Sequence, residues 1–119
     1  IKEVRPVKEV SSVLLNVIQS FLPYYPSFQV HHPKFWDFLK RACTKIMMVL
    51  VAIQRRHPYS FGDKCVLPPV MDFCLNKITD PEPELMSFEK FLVQCMSMVK
   101  SVLECKEYKT SLTGRVMDE

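Results

Sequence analysis

Apolar side chains recur at three- and four-residue intervals along four stretches of the chain. That spacing gathers residues on one face of a helix. Two of the stretches match each other. Phe35, Phe38, Leu39, Ala42, Ile46 and Val49 return fifty-three positions later as Phe88, Phe91, Leu92, Cys95, Val99 and Val102. Two copies of one buried helix in a short chain predict stacked helical repeats. Repeat architectures expose long surfaces and mostly work by binding.

The same pattern places the other elements. Val7, Val10, Leu14, Val17, Ile18 and Phe21 form the inward stripe of a first helix over about residues 7–21, opened by Pro6. Pro23 and Pro26 stop it, leaving Tyr24, Tyr25 and Phe28 in a loop as plugs between helices. A long second helix over residues 33–56 follows. Pro58 ends it by pushing His57 out of helical geometry. Pro68 and Pro69 complicate the third helix. It is either a short helix over residues 69–78 after a turn at Val66 and Leu67, or a kinked one from Lys64. Val70, Phe73, Cys74 and Ile78 would face inward. Residues 79–86 read as an acidic, extended loop. Ser87 then caps a fourth helix running to about Tyr108. Residues 109–119 show no periodicity and are expected to form a mobile tail. The fold class is therefore all-α: two stacked antiparallel helix hairpins, a HEAT-like α-solenoid fragment. Residues 1–57 make the first pair and 58–108 the second. A discrete four-helix bundle is the competing architecture; the recurrence of one stripe favours the stack.

Composition narrows the class. The chain has 119 residues, 48% of them hydrophobic, and only two glycines, which suits helices around a packed core and not disorder. The longest apolar run, residues 46–53, is too short to span a bilayer. No basic-then-apolar leader follows Ile1, and the chain reads as an internal piece of a larger protein. The net charge of +3 is uneven: residues 1–61 hold nine Lys/Arg against three Asp/Glu, and residues 62–119 hold seven against ten. Such asymmetry bears on partners and not on fold. Five cysteines, an odd number without a CxxC, fit a reducing compartment.

Two segments carry a family likeness. His57-Pro58-Tyr59-Ser60-Phe61 and Phe88-Glu89-Lys90-Phe91-Leu92-Val93-Gln94-Cys95-Met96 together resemble the N-terminal half of nuclear transport receptors of the importin-β (karyopherin-β) family, importin-eleven type. In that family a long helix ends in a His-Pro-aromatic-Ser-Phe turn. A later helix opens with Phe-x-x-Phe and continues through Val-Gln-Cys-Met. The sequence departs from the pattern at Gly62, Pro68 and Pro69. The resemblance implies an internal HEAT-repeat fragment of a receptor that shuttles between cytoplasm and nucleus. It implies Ran-GTP, protein cargo and the Phe-Gly repeats of pore proteins as partners of the full-length receptor. A cytosolic helical-repeat adaptor or scaffold with no Ran dependence is the alternative.

Candidate partner-binding residues fall in two groups. With Ile46 at the centre of the buried face, Lys34, Arg41 and Lys45 cluster on one flank of the second helix, at 100° per residue. They offer a basic strip to an acidic partner surface; the ordinary alternative is a solvated flank whose lysine stems cover apolar edges. Asp80, Glu82 and Glu84 give the loop a local negative potential suited to a basic signal, or simply keep a connector soluble. Nucleic acid is not expected, because no basic residue is interleaved with exposed stacking aromatics. Catalysis, cofactors and metals are not expected either. His31 and His32 are adjacent, no cysteine pair has zinc-ligand spacing, and two glycines leave no phosphate-cradling loop. An excised piece of a stack exposes faces its neighbours would cover. Phe21, Trp36, Met47, Met48, Met96 and Met98 are the expected apolar surface, through which the isolated fragment would self-associate.

Overall fold

The computed structural model describes residues 4–79 and 88–108. Helix α1 spans Val4–Phe21, with Pro6 in its first turn. It buries Ser11, Leu15 and Ile18, and Leu22 just beyond it, a spacing of four, three and four. The expected loop after it is instead helical. A 3-10 turn at Leu22–Tyr24 leads into α2, Tyr25–His31. Pro23 and Pro26 each fall in a first turn, where the missing N–H costs nothing, so they restart helices as readily as they stop one. Phe28 packs its ring edge-on against Phe35, 5.2 Å away.

Helix α3, Pro33–Arg56, ends as its sequence predicts: His57 leaves the helical region at φ −130°, ψ 59°, immediately before Pro58. A single turn, α4 at Pro58–Phe61, buries Ser60 and Phe61. The chain then turns at Asp63, whose carboxylate accepts the Cys65 N–H at 2.8 Å. Helix α5 spans Leu67–Thr79. Its two prolines occupy the first turn, which resolves the expected start at 69 or 64 into a start at Leu67. Thr79 closes this helix and does not open a loop; its hydroxyl donates to the Leu75 carbonyl. Helix α6 spans Glu89–Glu104. It stops short of the expected Tyr108 because Cys105 is extended, with one further helical turn at 106–108. The capping role of Ser87, the acidic loop and the tail at 109–119 lie outside the described residues.

All regular structure among the described residues is helical. Helix α3 is flanked by α1 and α6, α5 packs on α6, and α4 fits against α1 and α3. Near the starts of α3 and α6, the Trp36 and Phe88 rings meet at 5.4 Å. Near their ends, Ser101 donates to Gln54 and the Arg55 guanidinium lies 3.4 Å from the hydroxyls of Ser97 and Ser101. The two long helices therefore run side by side in the same direction. In an up-and-down bundle, adjacent helices are antiparallel. Parallel packing of the second member of each pair is the arrangement of a stack.

The buried face expected for α3 is also corrected. The buried face of α3 is Trp36, Leu39, Cys43, Met47, Leu50, Val51 and Gln54. Phe35 is 47% exposed, Phe38 55% and Val49 47%, whereas Trp36 is 4% exposed. In α1, Val10 likewise lies outside the core. Helix α6 buries Phe91, Cys95, Met98 and Val102, with Phe88 beside them. In space, then, Trp36 corresponds to Phe88, Leu39 to Phe91, Cys43 to Cys95 and Leu50 to Val102. The offset is fifty-two positions, one less than the recurrence of letters. The cause is that α3 is apolar on two flanks. Periodicity alone cannot choose between them; the surfaces of α1 and α6 do. Burying the indole removes roughly 150–250 Å² from water, but burying Phe35 and Phe38 would remove a comparable area, so area alone does not decide the face. The expected apolar surface changes accordingly. Trp36, Met47 and Met98 are buried, Phe21 is half-buried, and Met48 and Met96 remain half-exposed.

Candidate functional site

Two parallel helices in contact leave a groove along their common outer side. Between α3 and α6 this groove opens into two hollows. The first, about 680 Å³, lies at the N-terminal ends. Asp37, Lys40, Arg41, Thr44, Lys45 and Met48 line it from α3, with Phe88, Glu89 and Lys90 opposite. The second, about 640 Å³, lies at the C-terminal ends. Gln54 and Arg55 line it from α3, with Val93, Met96, Ser97, Lys100, Ser101 and Glu104 opposite. Pro58 and Cys105 close it.

The lining is polar at its rims and apolar along its middle. Met48, Val93 and Met96 are each about half exposed. Around them stand six cations, Lys40, Arg41, Lys45, Arg55, Lys90 and Lys100, against three carboxylates, Asp37, Glu89 and Glu104. Lys40 pairs with Asp37 at 3.5 Å. Among the described residues Arg41, Lys45, Lys90 and Lys100 form no ion pair. The groove is thus net positive, with uncompensated charge at both ends.

The second hollow has a fixed floor. Gln54, 2% exposed, accepts the Ser101 hydroxyl. Tyr108 swings back from beyond α6 and donates its hydroxyl to the Pro58 carbonyl at 2.7 Å. Its ring covers Gly62, where a Cβ would sit 2.8 Å from the Tyr108 Cε1. Burial pushes the Tyr108 hydroxyl up to about 12, against a smaller opposing effect of the hydrogen bond from Gln54. Away from the groove, Cys74 of α5 and Cys95 of α6 are fully buried, and a hydrogen bond between them together with burial holds the Cys95 thiol protonated. These thiols act as packing.

The structure divides the basic strip read from the sequence. Arg41 and Lys45 line the first hollow; Lys34 is exposed in the first turn of α3, outside both hollows. Lys40, Lys90, Arg55 and Lys100 join the site without having been singled out. Their only sequence signal is the second copy of the stripe, which brings α6 beside α3 once the two run parallel. Asp80, Glu82 and Glu84 lie outside the described residues. No described group of three or more His, Cys, Asp or Glu side chains converges in metal-ligating fashion. No described helix is long and apolar enough to cross a membrane.

No protein-family model and no solved structure matches the chain. Human Importin-11 is 28% identical to it over 75 residues, which is 63% of this chain and 8% of that protein. The chain thus spans under a tenth of the length of this relative. That likeness supports a link to the importin-β family and no finer assignment.

Proposed function

We propose that the chain is a segment of an importin-β-type nuclear transport receptor. The receptor binds cargo and Ran-GTP by surface recognition, engages Phe-Gly pore proteins, and shuttles between cytoplasm and nucleus. Its action is reversible association, with no catalytic residue and no cofactor. The observation that carries the reading is the similarity to human Importin-11. The parallel stacking of α3 on α6, which leaves a long basic groove, supports it. Within the receptor this segment presents the α3–α6 groove to a partner. Coupling of cargo affinity to Ran-GTP belongs to the whole superhelix.

A pull-down of the full-length protein with Ran tests the reading. Binding to the GTP form and not the GDP form is the expected result. Indifference to both forms overturns it in favour of a helical-repeat adaptor. Reversing Lys34, Arg41 and Lys45 to Glu in the same experiment tells whether this strip takes part. Loss of Ran or cargo assigns it a role, and unchanged binding makes it a wetted flank.

A further inference from the structure

We infer that the α3–α6 groove takes an acidic, extended protein segment that carries aliphatic side chains between two groups of carboxylates. The inference rests on the groove being a partner-binding surface and adds what that partner is made of.

Charge comes first. Arg41, Lys45 and Lys90 gather at one end, Arg55 and Lys100 at the other. A basic signal would meet like charge at both ends, which costs affinity and slows encounter. An acidic segment meets cations that have no ion-pair partner among the described residues, so binding breaks few existing contacts. Arg55 is held toward the groove by Ser97 and Ser101, without a carboxylate of its own. Its fork geometry suits a bidentate carboxylate.

Apolar chemistry comes second, and it separates a protein segment from a plain polyanion. Met48, Val93 and Met96 lie between the two cationic ends, each about half exposed. Methionine adapts its shape to irregular apolar partners. A phosphate backbone would leave these side chains uncovered; leucine or isoleucine side chains would bury them.

Spacing comes third. The two cationic groups are centred near residues 43 and 55 of α3, about 18 Å apart at 1.5 Å per residue. An extended chain covers that distance in about five or six residues at 3.3 Å each. The fitting sequence is therefore two acidic pairs about five or six residues apart, with aliphatic residues between them.

Fluorescence anisotropy with this chain tests the inference, using a fluorescein-labelled peptide of that design at physiological salt. Saturable binding is expected. It should weaken about tenfold when the peptide leucines become serine, when its glutamates become glutamine, or when the chain carries Lys45→Glu with Lys100→Glu, a loss of about 1.4 kcal/mol. The altered residues are exposed, and circular dichroism verifies that the variant is folded. The peptide-side changes need no protein variant at all. Absence of binding overturns the inference, as does equal binding of the serine peptide. A single-stranded oligonucleotide that binds as tightly as the peptide also overturns it, in favour of a phosphate-tracking groove. The peptide titration reads this chain alone and the Ran pull-down reads the whole receptor, so the failure of one leaves the other standing.

Discussion

Single residues at the far ends of α3 and α6 carry most of the polar specificity of the fold. Gln54 is a buried amide in an otherwise apolar interface, tolerated because Ser101 and Tyr108 satisfy it. Tyr108 has a second role, closing over Gly62 and bonding Pro58. Its hydroxyl ionises near 10 in an unfolded chain and near 12 here. The folded state therefore holds its proton longer than the unfolded state. The stability that Tyr108 contributes is complete below pH 10 and is lost as pH rises from 10 to 12. Tyr108→Phe is expected to lower stability by about 1 kcal/mol at neutral pH through the lost hydrogen bond. The gap between parent and variant should then narrow as pH climbs toward 12. Urea unfolding at several pH values measures both; a gap that widens in alkali contradicts the assignment. Ser11 stands apart: its hydroxyl is buried and has no partner among the described residues, and nothing in the packing explains it.

Among the elements, α3 separates what the letters reveal from what they hide. Its existence, its limits at Pro33–Arg56 and its termination by Pro58 follow from local chemistry and were legible. So was the pairing of α5 and α6 through Val70, Phe73 and Cys74. The rotation of α3 was not. Phe35, Phe38 and Val49 form as regular a stripe as Trp36, Leu39 and Met47, and only the neighbouring helices select between them. The groove was half legible for the same reason. Arg41 and Lys45 share a flank by spacing alone, but Lys90 and Lys100 reach it through a parallel contact between helices more than thirty residues apart in the chain. The short helix α2 was hidden by its prolines, which signal a stop and a start equally. A pair of substitutions tests the rotation. Trp36→Ala is expected to cost about 3–5 kcal/mol, as for a buried aromatic. Phe35→Ala, one position away and half exposed, should cost about 1 kcal/mol or less. Chemical denaturation of both variants decides it, and equal losses would contradict the observed face.

At the scale of the whole molecule, the neighbours of α3 leave part of its apolar surface exposed. Helix α6 closes one flank of α3, while Phe28, Phe35 and Phe38 run along the other in ring-to-ring contact at 5.2 and 6.3 Å. Phe35 and Phe38 are exposed, with Phe28 half-buried beside them, and adjacent exposed aromatics favour association. The isolated chain is expected to self-associate in sedimentation equilibrium, and Phe35→Glu with Phe38→Glu should return it to monomer. A parent chain that stays monomeric at high concentration contradicts this. The offset of fifty-two also has a consequence for anyone who would lengthen the ladder. A third module spliced in by matching letters would arrive turned by about 100°. Its half-exposed phenylalanines would face the joint and its tryptophan would turn away from it, so a designer should count rungs by what touches and not by what is spelled alike.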